Sequence, residues 1–166
     1  MKKKWLVALL WLQVIAVAAM IFWFSAQDGE TSMETSGGIV DFLLHLLVPD
    51  FDGRTYEEKA AIIDQFQFFM RKAAHFTEFA VLGESLRLLF HALCLRRPML
   101  WAWVTGTLYA CTDELHQMLG GTRTASWEDV CIDSAGVLTA VLVTTLWLWL
   151  REKRRKRQHK EKNGHT

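Results

Sequence analysis

Arginine, lysine, histidine and glutamate crowd into one short stretch, RKAAHFTEFAVLG from Arg71 to Gly83, whose other residues are mostly apolar. A helix turns by about 100° per residue, so Arg71, His75, Glu78 and Leu82 share one face and Glu84, Arg87 and His91 fall on another. A second polar cluster, TDELHQ from Thr112 to Gln117, interrupts a different apolar stretch. There Asp113, His116 and Gln117 stand at i, i+3 and i+4 on one face, with Glu114 displaced by about 100°. In a third stretch Asp129, Asp133, Gly136 and Ala140 share a face, and Gly136 with Ala140 makes a small-xxx-small pair that admits a neighbouring backbone.

Two chemistries suit these residue types. Arg71 and Arg123 are bidentate donors for a phosphate or carboxylate, with Glu78 and Asp113 able to orient them, which gives a binding or relay pocket. Alternatively His75 with Glu78 (HxxE) and Asp113 with His116 (DExH) supply imidazole and carboxylate ligands of the kind zinc accepts. Glu114 would then be a spare general base for a metal-activated water, in a metal-dependent hydrolase or transferase. The HExxH helix of metalloproteases is absent. A small bundle can also use such residues only as interhelical hydrogen-bond partners, each contributing on the order of 1 kcal/mol in a membrane. Their number argues against that, because each ionisable group placed in hydrocarbon carries its own dehydration cost.

The elements that must position these residues follow from hydropathy. MKKK precedes an apolar run from Trp5 to Phe24 broken only by Gln13, enough to cross about 30 Å of hydrocarbon. That run is longer than a cleaved signal's apolar core of about 7 to 15 residues, so it reads as an uncleaved first span. Residues 25–38 read as a polar loop, and Ile39, Phe42, Leu43, Leu46 and Leu47 recur at the spacing of an amphipathic helix too short to span. Pro49, Asp50 and Gly53 mark a turn, and Thr55 with Glu58 is a capping box that opens a helix running into a second span over 73–95. Arg96, Arg97 and Pro98 close it; the third span, 99–118, starts at Trp101 and Trp103 and ends in the DELHQ cluster. Gly120 and Gly121 break that span, and the fourth covers 130–150. The expected fold is therefore an all-α membrane protein, a four-transmembrane-helix bundle over residues 1–150 with an extracytoplasmic amphipathic helical segment, followed by a basic cytoplasmic tail at 151–166.

Charge segregation sets the expected orientation. Net charge is only +1, yet residues 151–162 carry eight Lys or Arg against two Glu, and residues 28–70 carry nine acidic residues against Arg54 and Lys59. Lys2 to Lys4, the Arg96–Arg97 turn and the tail all become cytoplasmic under the positive-inside rule, and four spans satisfy the three at once. Both polar clusters then arrive at the outer end of the bundle. The basic tail, directly after a span, reads as a topology determinant and a contact for anionic lipid headgroups, with no nucleic acid as partner. Cys94, Cys111 and Cys131 show no metal or disulfide spacing, and there is no Gly-rich phosphate loop or GxSxG.

The ordered set FSAQ (Phe24 to Gln27), RKAAHFTEF, DELHQ and GGTR, with the acid-rich start of the last span, resembles the VanZ-like family over nearly the whole chain except the basic tail. The resemblance implies a small integral protein of the bacterial cytoplasmic membrane, in a family whose namesake is associated with resistance to the glycopeptide teicoplanin. By motif position, Gln27, Arg71, Lys72, His75, Glu78, Asp113, Glu114, Gln117, Arg123 and Asp129 carry over as family-pattern residues without assigned chemistry. This chain departs from the pattern at Phe79, where the family tends to have tyrosine, and at Asp133, where it tends to have asparagine. The expected role is recognition or handling of a lipid-linked, glycopeptide or otherwise amphipathic envelope ligand in a pocket built from these residues with His116 and Asp133. No cofactor is expected on the binding reading, and a divalent metal such as zinc on the enzymatic one.

Overall fold

The computed structural model describes residues 2–26, 38, 40–119 and 126–163, and every regular element among them is helical. Gln27 and Arg123 lie outside the described residues. Helix α1 covers Lys2–Ser25, a short α2 covers 40–47, α3 covers Tyr56–Ala92, α4 covers Pro98–Leu119 and α5 covers Trp127–Asn163. The capping box expected at the start of α3 is formed in full: the Thr55 hydroxyl accepts from the Glu58 N–H, and the Glu58 carboxylate accepts from the Thr55 N–H at 3.0 Å. From there α3 runs unbroken through 37 residues into the second expected span. It stops where Cys94 adopts a left-handed conformation (φ 59°), with Leu95 N–H bonded to Phe90 O and Cys94 N–H to His91 O. Those two bonds are the pair that defines a Schellman ending, here built on cysteine where glycine is usual.

Helix α3 is the axis of the bundle, touching α1, α4 and α5. Helix α1 docks along Val7, Leu10, Val14, Val17 and Ile21, alternating steps of three and four residues that keep one seam against its neighbour. Its other faces are apolar too: Trp5, Leu9, Leu12, Ile15 and Trp23 are exposed. Gln13, the one polar break in that run, donates to Ser85 Oγ at 2.9 Å, so it lies in an interhelical contact. Helices α3 and α5 come into close backbone contact at two glycines. A Cβ on Gly83 would lie 2.7 Å from the Val137 carbonyl oxygen, and one on Gly136 would strike the Phe76 carbonyl. The small residue expected to admit a backbone at Gly136 does so, and Gly83 is its counterpart on the facing helix.

Among the described residues, two helices are long and apolar enough to cross a membrane, over Lys3–Ser25 and Trp127–Gln158. Helices α3 and α4 carry polar clusters within their apolar stretches, which lowers their mean hydropathy. What α4 does with its polar residues is informative: Ala102, Gly106, Ala110, Asp113, Glu114 and Gln117 are buried, while Leu108, Leu115 and Leu119 are exposed. Small and charged residues lie inside and large apolar ones outside. In water that arrangement would leave large apolar side chains hydrated; against an apolar surrounding those side chains are well placed. Arg87 and Glu84, expected on one face, part company: Arg87 is buried and donates from Nε to Thr145 Oγ1 at 2.7 Å, while Glu84 is exposed. Helix α5 continues through the basic residues to Asn163, so the segment after 150 extends the last helix as a charged rod.

Candidate functional site

The contact between Gly136 and the Phe76 carbonyl does more than join two helices. Phe76 follows His75, and Gly136 lies three residues, close to one turn, beyond Asp133, so backbone contact at this point sets His75 and Asp133 opposite one another. The end of α4 completes the arrangement. Asp113 is buried, and its Oδ2 accepts from Gln117 Nε2 at 3.0 Å and from Ser25 Oγ of α1 at 2.8 Å.

A cavity of about 100 Å³ opens here, lined by Phe68, Arg71, Lys72 and His75 of α3, Glu114 and Gln117 of α4, and Asp129, Ile132 and Asp133 of α5. Seven of its nine lining residues are polar or ionisable. Lys72 Nζ pairs with Asp129 Oδ1 at 2.7 Å and lies 4.8 Å from the centroid of the Phe68 ring. Glu114, only 7% exposed, accepts from the Ser126 N–H at 2.6 Å. Ser126 in turn caps α5, its hydroxyl accepting from Glu128 N–H at 3.2 Å. The start of α5 is thereby tied to the end of α4 at the rim of the cavity.

Donor atoms of His75, Asp113 and Asp133 all lie within 4.8 Å of one another, one from each of α3, α4 and α5. Among the described residues, Asp113 Oδ1 and Asp133 Oδ1 are buried without a hydrogen-bond partner. Two carboxylates are thus withdrawn from water, each with one oxygen unsatisfied on the protein side.

The metal-ligating set expected from HxxE and DExH, namely His75, Glu78, Asp113 and His116, is not the set that meets. His75 and Asp113 are joined by Asp133. The His116 ring packs on Phe22 of α1 at a centroid distance of 4.2 Å, and His116 is absent from the cavity lining. Glu78, half-buried, lies within electrostatic reach of Asp113 without lining the cavity. Glu114, expected to be turned off the shared face, is the carboxylate of that helix that reaches the cavity. The reason is geometric: a helix that touches α1 on one side and α3 with α5 on another has two inward faces, and His116 turns to α1 while Glu114 turns to α3 and α5. Phe68 and Ile132, the apolar part of the lining, carried no signal in the sequence. Ser126 did, as the first residue of a Ser-x-x-Asp pattern before an apolar run.

A family model described as VanZ/LLP1 matches residues 10–148. No curated protein and no solved structure matches the chain.

Proposed function

The chain belongs to the VanZ/LLP1 family, and from that premise we infer a multi-pass protein of the bacterial cytoplasmic membrane that holds the polar head of an amphipathic envelope ligand in its interhelical cavity. The membrane setting is supported by the exposed apolar surfaces of α1, α4 and α5 and by the inward placement of polar residues on α4. On this reading the chain crosses four times, through α1, the second half of α3, α4 and the apolar part of α5, which keeps the three basic clusters and both termini cytoplasmic under the positive-inside rule. The cavity then opens at the opposite, outer end, since Arg96 and Arg97 lie at the start of α4 while Glu114 and Gln117 lie near its finish.

One observation carries the ligand reading: Arg71, Lys72 and His75 line a cavity whose remaining wall is carboxylate, amide and the apolar side chains of Phe68 and Ile132. Exposed Arg71 and the partly exposed Lys72 offer donors to an incoming phosphate or carboxylate, while Phe68 and Ile132 meet the first methylenes of a lipid-like tail. Such a site suits a lipid-linked precursor or a lipidated glycopeptide approaching from the outer leaflet, and glycopeptide tolerance is the corresponding cellular effect. Expressed in a teicoplanin-susceptible bacterium, the chain raises tolerance on this reading, and Arg71→Ala and Lys72→Ala each return it to the vector level with membrane insertion intact. Wild-type tolerance in both variants overturns the reading.

A further inference from the structure

We propose that His75, Asp113 and Asp133 form a binding site for one divalent transition-metal ion, zinc or manganese, in the wall of the cavity. The donor set comes from three different helices, and its donor atoms already lie within 4.8 Å of one another. Around a tetrahedral ion, bonds of about 2.0 to 2.2 Å put donors about 3.3 to 3.6 Å apart, so side-chain rotation that closes a pair by at most about 1.5 Å completes the contact. Asp113 and Asp133 are 3% and 4% exposed, and each has a buried Oδ1 with no hydrogen-bond partner among the described residues. Burying ionised carboxylates with an oxygen left over is costly unless a charge compensates them. A divalent ion does so in one step, taking up both oxygens.

The chemistry of the ligands selects the ion. One imidazole and two carboxylates form a mixed nitrogen and oxygen set that suits zinc or manganese, whereas magnesium and calcium favour oxygen throughout and copper(I) favours sulfur. Three protein ligands leave at least one coordination position open. His75 and Asp133 also line the cavity, whose volume of about 100 Å³ is ample for water or a ligand oxygen at that position. The backbone contact of Gly136 on Phe76 holds two of the three ligands in register. With Arg71 and Lys72 lining the same space, an anion on the metal would be held from the other side by cationic donors, which makes a phosphate or carboxylate head the fitting occupant. That choice of anion rests on the ligand reading above; binding of the metal itself does not.

The test uses the full chain purified in detergent, treated with chelator, and titrated with zinc, manganese or magnesium alone, with bound metal counted by elemental analysis. The expected result is one equivalent of zinc or manganese per chain, bound at least tenfold more tightly than magnesium. Asp113→Asn and Asp133→Asn, which keep side-chain volume, each weaken it at least tenfold, while Glu84→Gln on the exposed face of α3 leaves it unchanged. Because the wild-type stoichiometry is read first, the test does not depend on whether a variant folds. No saturable binding by the wild type, equal affinity for magnesium, or full binding by both Asn variants in folded protein each overturns the site. Failure here with Arg71-dependent tolerance retained removes the metal and leaves the ligand pocket; metal binding without any effect of Arg71→Ala does the reverse.

Discussion

Gly136 is where a single residue decides the geometry of the cavity. Its lack of a side chain lets α5 lie against the Phe76 carbonyl, and His75 and Asp133 meet because of it. A methyl group at this position would have to displace backbone, since the atom it strikes is a main-chain carbonyl with no rotamer to change. Gly136→Ala is therefore expected to destabilise the bundle by about 1 to 3 kcal/mol, in the range for overpacking. It should also separate α3 from α5, measured as a fall in the melting temperature together with faster reaction of a probe at Asp133→Cys. An unchanged melting temperature would show that the helices have room to spare. Glu114 and His116 make the complementary point: two residues apart on one helix, they serve different interfaces, one facing the cavity and one stacked on Phe22.

Among the elements, the short α2 and the turn after it are held by a charge that depends on pH. His45 Nδ1 lies 2.8 Å from the Asp41 carbonyl oxygen and Nε2 lies 3.2 Å from Asp52 Oδ1. Both neighbours are acceptors, so only the imidazolium, with two N–H groups, can satisfy them together. First the backbone bond to Asp41 and then the Asp52 carboxylate raise the His45 pKa above 6.5. A raised folded value means that this stabilisation is complete below pH 6.5 and is lost as pH rises through the folded pKa. Hydrogen exchange of the amides in 40–52, corrected for the intrinsic rate, should accelerate across that window in wild type and show no such step in His45→Gln. At the start of α3 the sign reverses: the Thr55 N–H and hydroxyl lower the Glu58 pKa, so the capping box holds at neutral pH and loosens as pH falls through the lowered value. Thr55→Ala should cost about 1 kcal/mol of local stability, read as fraying of the first turn of α3 by hydrogen exchange.

For the whole molecule, the three basic clusters at Lys2 to Lys4, Arg96–Arg97 and the tail give one orientation to test. In an otherwise cysteine-free chain in intact cells, Glu57→Cys should react with a membrane-impermeant maleimide and Lys156→Cys should not; the opposite pattern would invert the topology. Much of this organisation was legible in the chain. Apolar run lengths and the basic residues between them determined the helices, because a helix satisfies its own backbone wherever it lies and needs only length and hydropathy to be recognised. The Thr55–Glu58 start, the continuous α3 and the close approach at Gly136 were likewise local signals with local causes. What only the tertiary structure decided was which polar residues meet. Periodicity assigns a residue to a face, but not to the neighbour that face will meet. The choice of Asp133 over Glu78 and His116 as the third member beside His75 and Asp113 depends on how α3, α4 and α5 cross, and that crossing is set by contacts such as Gly136 on Phe76 and Gly83 on Val137, between residues more than fifty positions apart in sequence.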